Sequence, residues 1–379
     1  MKLVKKISLA CFLGNISFYL QAEVQGVPDG WKTECVGYFQ ISVPGDVEIG
    51  VVRDNPDPSK GNHNLRSSAN NFYAESIYLG EVRTSPMLPE SSFLNIKKEK
   101  SKKIEDLTQK MKTDESIKIL SHEVGNNSIY TLFESKKHIF GSMFIYQAGR
   151  IFAYEQGGSE TKITGENIKK NFANFSENFR ARALYEVPQE KGFCMPYGFV
   201  KDDTPKKRSM GTIMRLEEHP DVRILFRDAS AVFEDNYSKE ENASVEKELR
   251  AFWERPDWDG AKYQALGFRK FPSVQMGGYK GRSTFVEITR PSYTPISECS
   301  WDDEDFSKAE KKAAGCLPQT QDYGYIAYVK GDPDAKKDTP NLLLYVMQDS
   351  KNAPDGKPTI GKDELRKMAD TIAASIKRR

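Results

Sequence analysis

The sequence predicts an α+β fold made of two domains of similar architecture, each an antiparallel sheet with flanking helices. Three observations support this class. Much of the chain consists of short runs in which apolar and polar residues alternate, the pattern of half-buried strands. Helical spacing is confined to a few segments that do not alternate with every strand, so the helices cluster around the sheet. The order strand, helix, antiparallel strands, helix occurs twice along the 379 residues.

In the first half, the run "YFQISVPGD" predicts a strand that ends at the turn formers Pro44 and Gly45. A polar loop over residues 53–71 precedes the strand "FYAESIYLGEVR". Residues 90–112 predict a charged amphipathic helix, because apolar side chains recur there at helical spacing. The runs "IKILSHEV", "SIYTLFES" and "HIFGSMFIYQAGRIFAYEQG" predict strands joined by tight turns. The segment "GENIKKNFANFSENFRARA" predicts a closing helix.

The second half repeats this order. The runs "GFCMPYGFV" and "GTIMRLEEHPDVRILFRDAS" predict strands, and "NASVEKELRAFWE" predicts a helix with an Asn-Ala-Ser start signal. "FPSVQMGGYKGRSTFVEITR", "YGYIAYVKGD" and "NLLLYVMQDS" predict hairpins. The final segment "GKDELRKMADTIAASIKRR" predicts a helix with a basic end, which the helix dipole favours.

Residues 1–22 have the pattern of a cleavable signal peptide: a basic start, an apolar run and the small residue Ala22. The run is too short to span a bilayer. A cytosolic chain with an apolar start, or a lipid on Cys11, are the alternatives. We expect one α+β domain over residues 23–184 and a second over 185–379, with a linker near 184–192, no membrane span and an exported, periplasmic protein.

Four cysteines follow the leader, an even number that favours disulfides in an exported chain. Three pairings are possible, and four free buried thiols are the alternative. Cys299 and Cys316 bracket a short polar excursion that a bond between them would clamp, which contributes about 3 kcal/mol in the loop-entropy model. Cys35 and Cys194 remain as the second pair, and they would tie the start of one half to the start of the other.

The sequence offers no pattern for catalysis, metal or cofactor binding. It has no G-x-S-x-G, P-loop or dinucleotide fingerprint, and no zinc-type cysteine or histidine spacing. We therefore expect no catalytic, metal or cofactor residues. Without the leader the chain carries 53 basic and 54 acidic residues, so its charge gives no reason to expect a nucleic-acid partner.

Two segments are typical of recognition surfaces. "AFWERPDWDG" places Trp253 and Trp258 beside charges and a proline turn, and the 299–316 excursion carries Trp301 and Phe306 beside acids. Large aromatic side chains are frequent anchors in protein interfaces. These four residues are the candidate partner contacts. The alternative is that each aromatic side chain packs on its own domain.

The two stretches around Cys35 and Cys194, which we call the cysteine stretches, resemble segments of a known protein family. "CVGYFQISVP" near the mature start, "GFCMPYGFV" before "EEHPDVRILF", and the final "ELRKMADTIAASIKR" together resemble the immunity proteins that protect bacteria against type VI secretion lipase effectors. Tyr38 departs from that family, which often has a basic residue there, and the 299–316 excursion is interpreted as particular to a subgroup of the family.

The resemblance implies a periplasmic protein that is not an enzyme. It implies that two α+β domains bind a cognate secreted phospholipase effector, in a 1:1 complex, and prevent hydrolysis of membrane lipids. Two other functions stay open at the level of sequence: a non-enzymatic structural or assembly protein of the cell envelope, and an exported enzyme whose site carries no motif.

Overall fold

The computed structural model describes residues 27–51, 74–159, 161–202, 208–231, 244–253, 261–290, 320–353 and 358–379. The leader, Cys299, Cys316, Trp258, Trp301 and Phe306 lie outside these ranges. The four α-helices of the described residues are α1 (Glu90–Lys110), α2 (Gly165–Asn178), α3 (Val245–Trp253) and α4 (Lys362–Ser375). None of the helices in the described part of the chain has the length and apolar composition to cross a membrane.

Strands make up most of the remaining described residues. The first ten are β1 (Trp31–Val36), β2 (Phe39–Pro44), β3 (Val47–Ile49), β4 (Ala74–Tyr78), β5 (Glu81–Thr84), β6 (Ile117–Val124), β7 (Ser128–Ser135), β8 (His138–Gln147), β9 (Arg150–Ser159) and β10 (Phe179–Ala181). The next ten are β11 (Gly192–Met195), β12 (Gly198–Lys201), β13 (Arg208–Leu216), β14 (Val222–Ala229), β15 (Lys262–Ala265), β16 (Ser273–Met276), β17 (Tyr279–Arg290), β18 (Thr320–Val329), β19 (Asn341–Gln348) and β20 (Lys377–Arg378). A single turn of 3₁₀ helix covers Ser350–Asn352.

Fourteen strands form one sheet that runs through both halves of the chain. Its order is β15-β17-β18-β19-β14-β13-β4-β5-β9-β8-β7-β6, with β16 beside β17 and β3 beside β13. The halves join where β13 pairs antiparallel with β4, from Arg208 opposite Tyr78 to Thr212 opposite Ala74. The predicted α+β class is confirmed. The shared sheet was not predicted, and the domain boundary at 184/185 stays a prediction.

Helices cover both faces of this sheet. On one face α2 and α4 pack with the β1–β2 hairpin in the main core, through side chains such as Phe175, Leu365 and Phe39. On the opposite face α1 packs on Phe144 and its neighbours at one end, and α3 covers the other end. Apolar side chains at helical spacing on each helix explain this placement, because each apolar stripe must be buried against a sheet.

The final segment differs from the predicted helix. Helix α4 ends at Ser375, and residues 377–378 pair with β2 opposite Gln40 and Phe39. Partners for the last two arginines explain this change, since Arg378 donates to the partly buried Asp338 carboxylate and Arg379 donates to the sulfur of the buried Cys35. A helical continuation would point these side chains elsewhere.

Candidate partner-binding surface

The two cysteine stretches meet at one point of the fold. Gly37 and Cys194 exchange backbone hydrogen bonds of 2.9 and 2.8 Å, and a disulfide joins Cys35 to Cys194 with 5.7 Å between the Cα atoms. This is the predicted second pairing. The other predicted disulfide, between Cys299 and Cys316, lies outside the described residues. Strand β1 is therefore fixed to β11 at the beginning of the second half.

A buried ion pair lies beside the disulfide. The Arg182 and Glu34 side chains are both 0 % exposed and form a charged hydrogen bond. Arg182 also donates to the carbonyl oxygens of Cys35 and Met195 at 3.0 and 3.2 Å. The second Glu34 oxygen accepts from the Tyr185 amide at 2.7 Å. Because both charged groups have several partners, their burial is compensated, and the linker is anchored to β1.

A second charged cluster, which we call the junction cluster, consists of Arg208, Asp228, Asp338 and Arg378. The fully buried Arg208 donates two hydrogen bonds to Asp228, at 3.0 and 2.8 Å, and two to Asp338, at 3.1 and 3.0 Å. Asp228 also accepts from the Tyr38 amide at 3.0 Å, and Arg378 donates to Asp338 at 2.7 Å. Chain segments far apart in sequence therefore meet through one buried guanidinium.

The electrostatics of the junction cluster are those of a structural network. Burial alone raises the pKa of Asp338, but hydrogen bonds from Arg208 and Arg378 outweigh it and hold the pKa below its ordinary value. Asp338 is therefore ionised at neutral pH. The Arg208 guanidinium stays protonated and is held by two carboxylates, so it is unsuited to general acid or base catalysis.

The described residues offer little that is typical of a reaction centre. Among them, no group of three His, Cys, Asp or Glu side chains is arranged to hold a metal ion. His122 contacts the Thr131 hydroxyl at 3.2 Å, and His138 contacts the Lys136 carbonyl at 3.1 Å. These contacts are local and lie within or beside single hairpins.

Trp253 occupies the core of the second half. Its side chain is 5 % exposed and packs with Leu249, Ile288 and Ile326 between α3 and the sheet. This burial agrees with the alternative interpretation, in which the aromatic side chain packs on its own domain, because the tryptophan completes the apolar stripe of α3. Contact of Trp253 with a partner stays a prediction. Contact by Trp258, Trp301 and Phe306 stays a prediction.

The most exposed apolar side chain of the described residues is Phe268, at 103 % of its reference area. It lies on the loop between β15 and β16, which leaves and rejoins the same edge of β17. At the start of the loop, the Leu266 amide donates to the Phe285 carbonyl oxygen at 2.8 Å. At its end, the Pro272 carbonyl oxygen accepts from the Ser283 amide at 3.0 Å. The loop is thus pinned at both ends with an exposed aromatic ring between them.

Sequence reasoning missed Phe268, although a signal was present. The letters "LGFRKFP" place a phenylalanine between a glycine and two basic residues in a connection between strands. Its neighbour Phe271 is anchored, since Arg250 lies over that ring at 5.1 Å. A large aromatic ring that is exposed on a pinned loop is available as an anchor for a protein partner.

Three other exposed apolar side chains occur near one end of the first half: Met87, Leu94 and Val124, at 63, 52 and 52 % exposure. Met87 lies just before α1, Leu94 lies on α1, and Val124 is the last residue of β6. Lys97 of α1 donates to the Gly125 carbonyl oxygen at 2.8 Å. This hydrogen bond joins the helix to the turn between β6 and β7. The two halves therefore each present exposed apolar groups.

Comparison with known proteins supports the resemblance found in the sequence. Residues 186–252 match the family model of the Tle cognate immunity protein 4 C-terminal domain. This segment includes Cys194 and the strands β13 and β14. No curated protein matches the chain.

Solved structures share the fold over nearly the whole chain. A chain of the crystal structure of the Tle4–Tli4 complex is 18% identical with a TM-score of 0.56, covering 92% of this chain and 98% of that chain. The immunity protein TplEi of the type VI secretion system from Pseudomonas aeruginosa, complexed with "L" peptide, is 18% identical with a TM-score of 0.54, covering 93% and 99%. Its apo structure is 16% identical with a TM-score of 0.56, covering 92% and 97%.

Proposed function

We propose that this protein is an immunity protein that binds and inhibits a phospholipase effector of a type VI secretion system. The observation that carries the proposal is the match of residues 186–252 to an immunity-protein domain model. It is joined by a fold shared with immunity proteins over more than nine tenths of the chain. The protein would act by contact and consume no substrate.

A fixed arrangement of the two halves suits this mode of action. The halves share the β4–β13 pairing and the Cys35–Cys194 bond, and Asp228 of the junction cluster accepts a hydrogen bond from the Tyr38 amide of the first half. A binder that is already ordered loses less conformational entropy when its partner binds, so affinity is higher for the same contacts. An inhibitor of this kind needs an interface of about 1,600 Å², which surfaces on both halves can supply together.

The exposed loop at Phe268 is our first candidate for a contact with the effector. Its aromatic ring is fully exposed, and two basic residues, Arg269 and Lys270, follow it. An aromatic side chain that enters an apolar depression of a partner typically contributes about 2 kcal/mol or more to binding. Such a loop could block the mouth of a lipase site or hold a mobile lid, as inhibitors that stop conformational steps do.

Export to the periplasm completes the proposal. Cleavage after Ala22 would leave Glu23 as the first residue, and Cys299 would pair with Cys316 in the oxidising compartment. Amino-terminal sequencing of periplasmic protein checks the first point. Peptide mapping without reduction checks the second, and free thiols at both positions would contradict it.

Titration of lipase activity tests the function. We expect the purified protein to inhibit its cognate phospholipase completely at about one equivalent, with no hydrolysis of lipid by the protein alone. A lipase of another family serves as the control and should stay active. A cognate enzyme that remains fully active at several-fold molar excess would refute the immunity function, and copurification with an outer-membrane or cell-wall component would favour an envelope role.

A further inference from the structure

The guanidinium of Arg379 lies directly against the disulfide. One terminal nitrogen, Nη1, is 2.8 Å from the Cys35 sulfur and 3.1 Å from the Cys194 sulfur. The other, Nη2, donates to the carbonyl oxygens of Pro188 and Glu190 at 2.6 and 2.8 Å. Both cysteines are buried, at 1 and 0 % exposure. The side chain is thus held in place by the linker with one edge on the sulfur atoms.

This guanidinium has only neutral hydrogen-bond acceptors in the described part of the chain. They are backbone carbonyls and the two sulfurs, and its Nε is buried with no partner there. Burial, together with nearby Arg182 and Arg180, lowers the pKa of Arg379 to about 10, and the attraction of the Glu190 carboxylate offsets only part of this effect. A partly buried cation without a directly bound anion is unfavourable, and a negative charge at the sulfur atoms would relieve it.

We propose that the Cys35–Cys194 bond is a redox-responsive joint, in which Arg379 stabilises the thiolate that forms when the bond is reduced. An adjacent cation makes the thiolate form of a cysteine more stable and a better leaving group. Stabilisation of the reduced state shifts the reduction potential to a less negative value than that of a passive structural disulfide. The inference does not depend on the proposed immunity function.

The reaction is a two-electron thiol–disulfide exchange with a dithiol reductant. A thiolate of the reductant attacks one protein sulfur, a new mixed disulfide forms, and the Cys35–Cys194 bond breaks. The other protein cysteine leaves as a thiolate against Arg379. The second thiol of the reductant then loses its proton and attacks the mixed disulfide, which releases the first protein cysteine and closes the disulfide of the reductant.

The consequence for the fold is local. The bond reinforces the bridge between Gly37 and Cys194, through which β1 is tied to β11. Reduction removes this covalent tie, whereas the β4–β13 pairing between the halves stays intact. The protein would therefore be locked in an oxidising compartment and loosened at this one joint in a reducing one.

Equilibration of the full chain with dithiothreitol redox buffers tests the proposal, with the oxidised fraction read by thiol alkylation and mass. We expect Arg379→Gln to resist reduction about tenfold more than the wild type, which corresponds to about 30 mV for a two-electron couple. Arg379→Lys should stay close to the wild type because it keeps a cation. Lys377→Gln, an exposed neighbour, should change nothing. An Arg379→Gln equilibrium equal to the wild type, or shifted towards reduction, would overturn the proposal.

A second measurement does not use an arginine variant, so it still tests the proposal if Arg379→Gln fails to fold. In Cys35→Ser and Cys194→Ser proteins, the pH dependence of alkylation gives the pKa of the remaining thiol. Other charged groups near the joint are Glu34, which is paired with Arg182, and Glu190 and Arg180, 3.9 Å apart. We expect at least one thiol pKa clearly below the ordinary value of about 8.5. Values at or above 8.5 for both thiols would overturn the proposal.

Discussion

Replacement of Arg208 by methionine removes the centre of the junction cluster while keeping a side chain of similar length. The native guanidinium is 0 % exposed and donates to both oxygens of Asp228 and both oxygens of Asp338. It also lies over the Tyr38 ring at 4.7 Å. Methionine can replace part of this packing but none of the hydrogen bonds.

The expected loss follows from what each carboxylate keeps. Asp338 is 19 % exposed and retains Arg378, so it contributes little to the loss. Asp228 is 0 % exposed, and when Arg208 is removed it keeps one hydrogen-bond donor among the described residues, the Tyr38 amide. Leaving one member of a buried ion pair unpaired costs about 3–5 kcal/mol. We therefore expect Arg208→Met to lower the free energy of unfolding by about 4 kcal/mol.

Urea denaturation followed by tryptophan fluorescence measures this loss through the shift of the midpoint at constant slope. Lys118→Met is the control, since Lys118 is 61 % exposed and lies 3.9 Å from Glu134; it should cost less than about 1 kcal/mol. Arg208→Met combined with Asp228→Asn should regain at least about 1 kcal/mol of the lost free energy of unfolding, because the double variant leaves no unpaired carboxylate buried at position 228. An Arg208→Met protein within about 1 kcal/mol of the wild type would refute the reasoning.

Three further predictions rest on single residues. Phe268→Ala should weaken effector binding by about 2 kcal/mol or more and leave the urea midpoint unchanged; calorimetric titration checks this, and unaltered affinity would remove the loop from the interface. The carboxyl of Asp338, whose pKa is depressed in the fold, contributes stability that is complete above its ordinary pKa of 3.8 and is lost as the pH falls through the lower folded value. Denaturation between pH 2 and 5 should therefore show a stability loss on acidification that Asp338→Asn reduces, and equal pH profiles would contradict the assignment. Gly37→Ala should cost about 2 kcal/mol or more, since φ is +59° and the added Cβ would lie 2.4 Å from a carboxylate oxygen; Gly278→Ala, at φ +86° with no atom within 4 Å, isolates the backbone strain in the same assay.

The helices were predictable from the sequence because their signal is local. Residues 90–112 were expected to be helical, and α1 covers Glu90–Lys110. Its buried side chains Phe93, Ile96 and Leu107 are among the apolar residues that recur in this segment. The end of the second helix differs, since Phe179–Ala181 forms β10 against β12. A tertiary partner there overrides the helical pattern, and the pattern itself carries no information about that partner.

Strand partners and buried charges were the parts that could not be predicted. Alternation shows that β4 and β13 are strands, but it does not show that they pair across the two halves. Arg208 follows two lysines in "PKKRSMG", which is typical of a solvated run. Its burial depends on Asp228 and Asp338, which are 20 and 130 residues away. Only the fold reveals that one charge of this run is internal.

The locations of the charged groups argue for a role in fixing the position of the β1–β2 hairpin. Residues 34–38 contact four separate segments: the linker through Glu34, β11 through Cys35, β14 through the Tyr38 amide, and Arg379 through the Tyr38 carbonyl. A buried ion pair adds little net stability compared with apolar groups of the same volume, but it strongly disfavours any structure in which its partner is displaced. We infer that these charges exclude other placements of the β1–β2 hairpin. An inhibitor with contact surfaces on both halves requires this exclusion, since a hairpin placed differently would misalign the surfaces and leave the apolar contacts unable to form together.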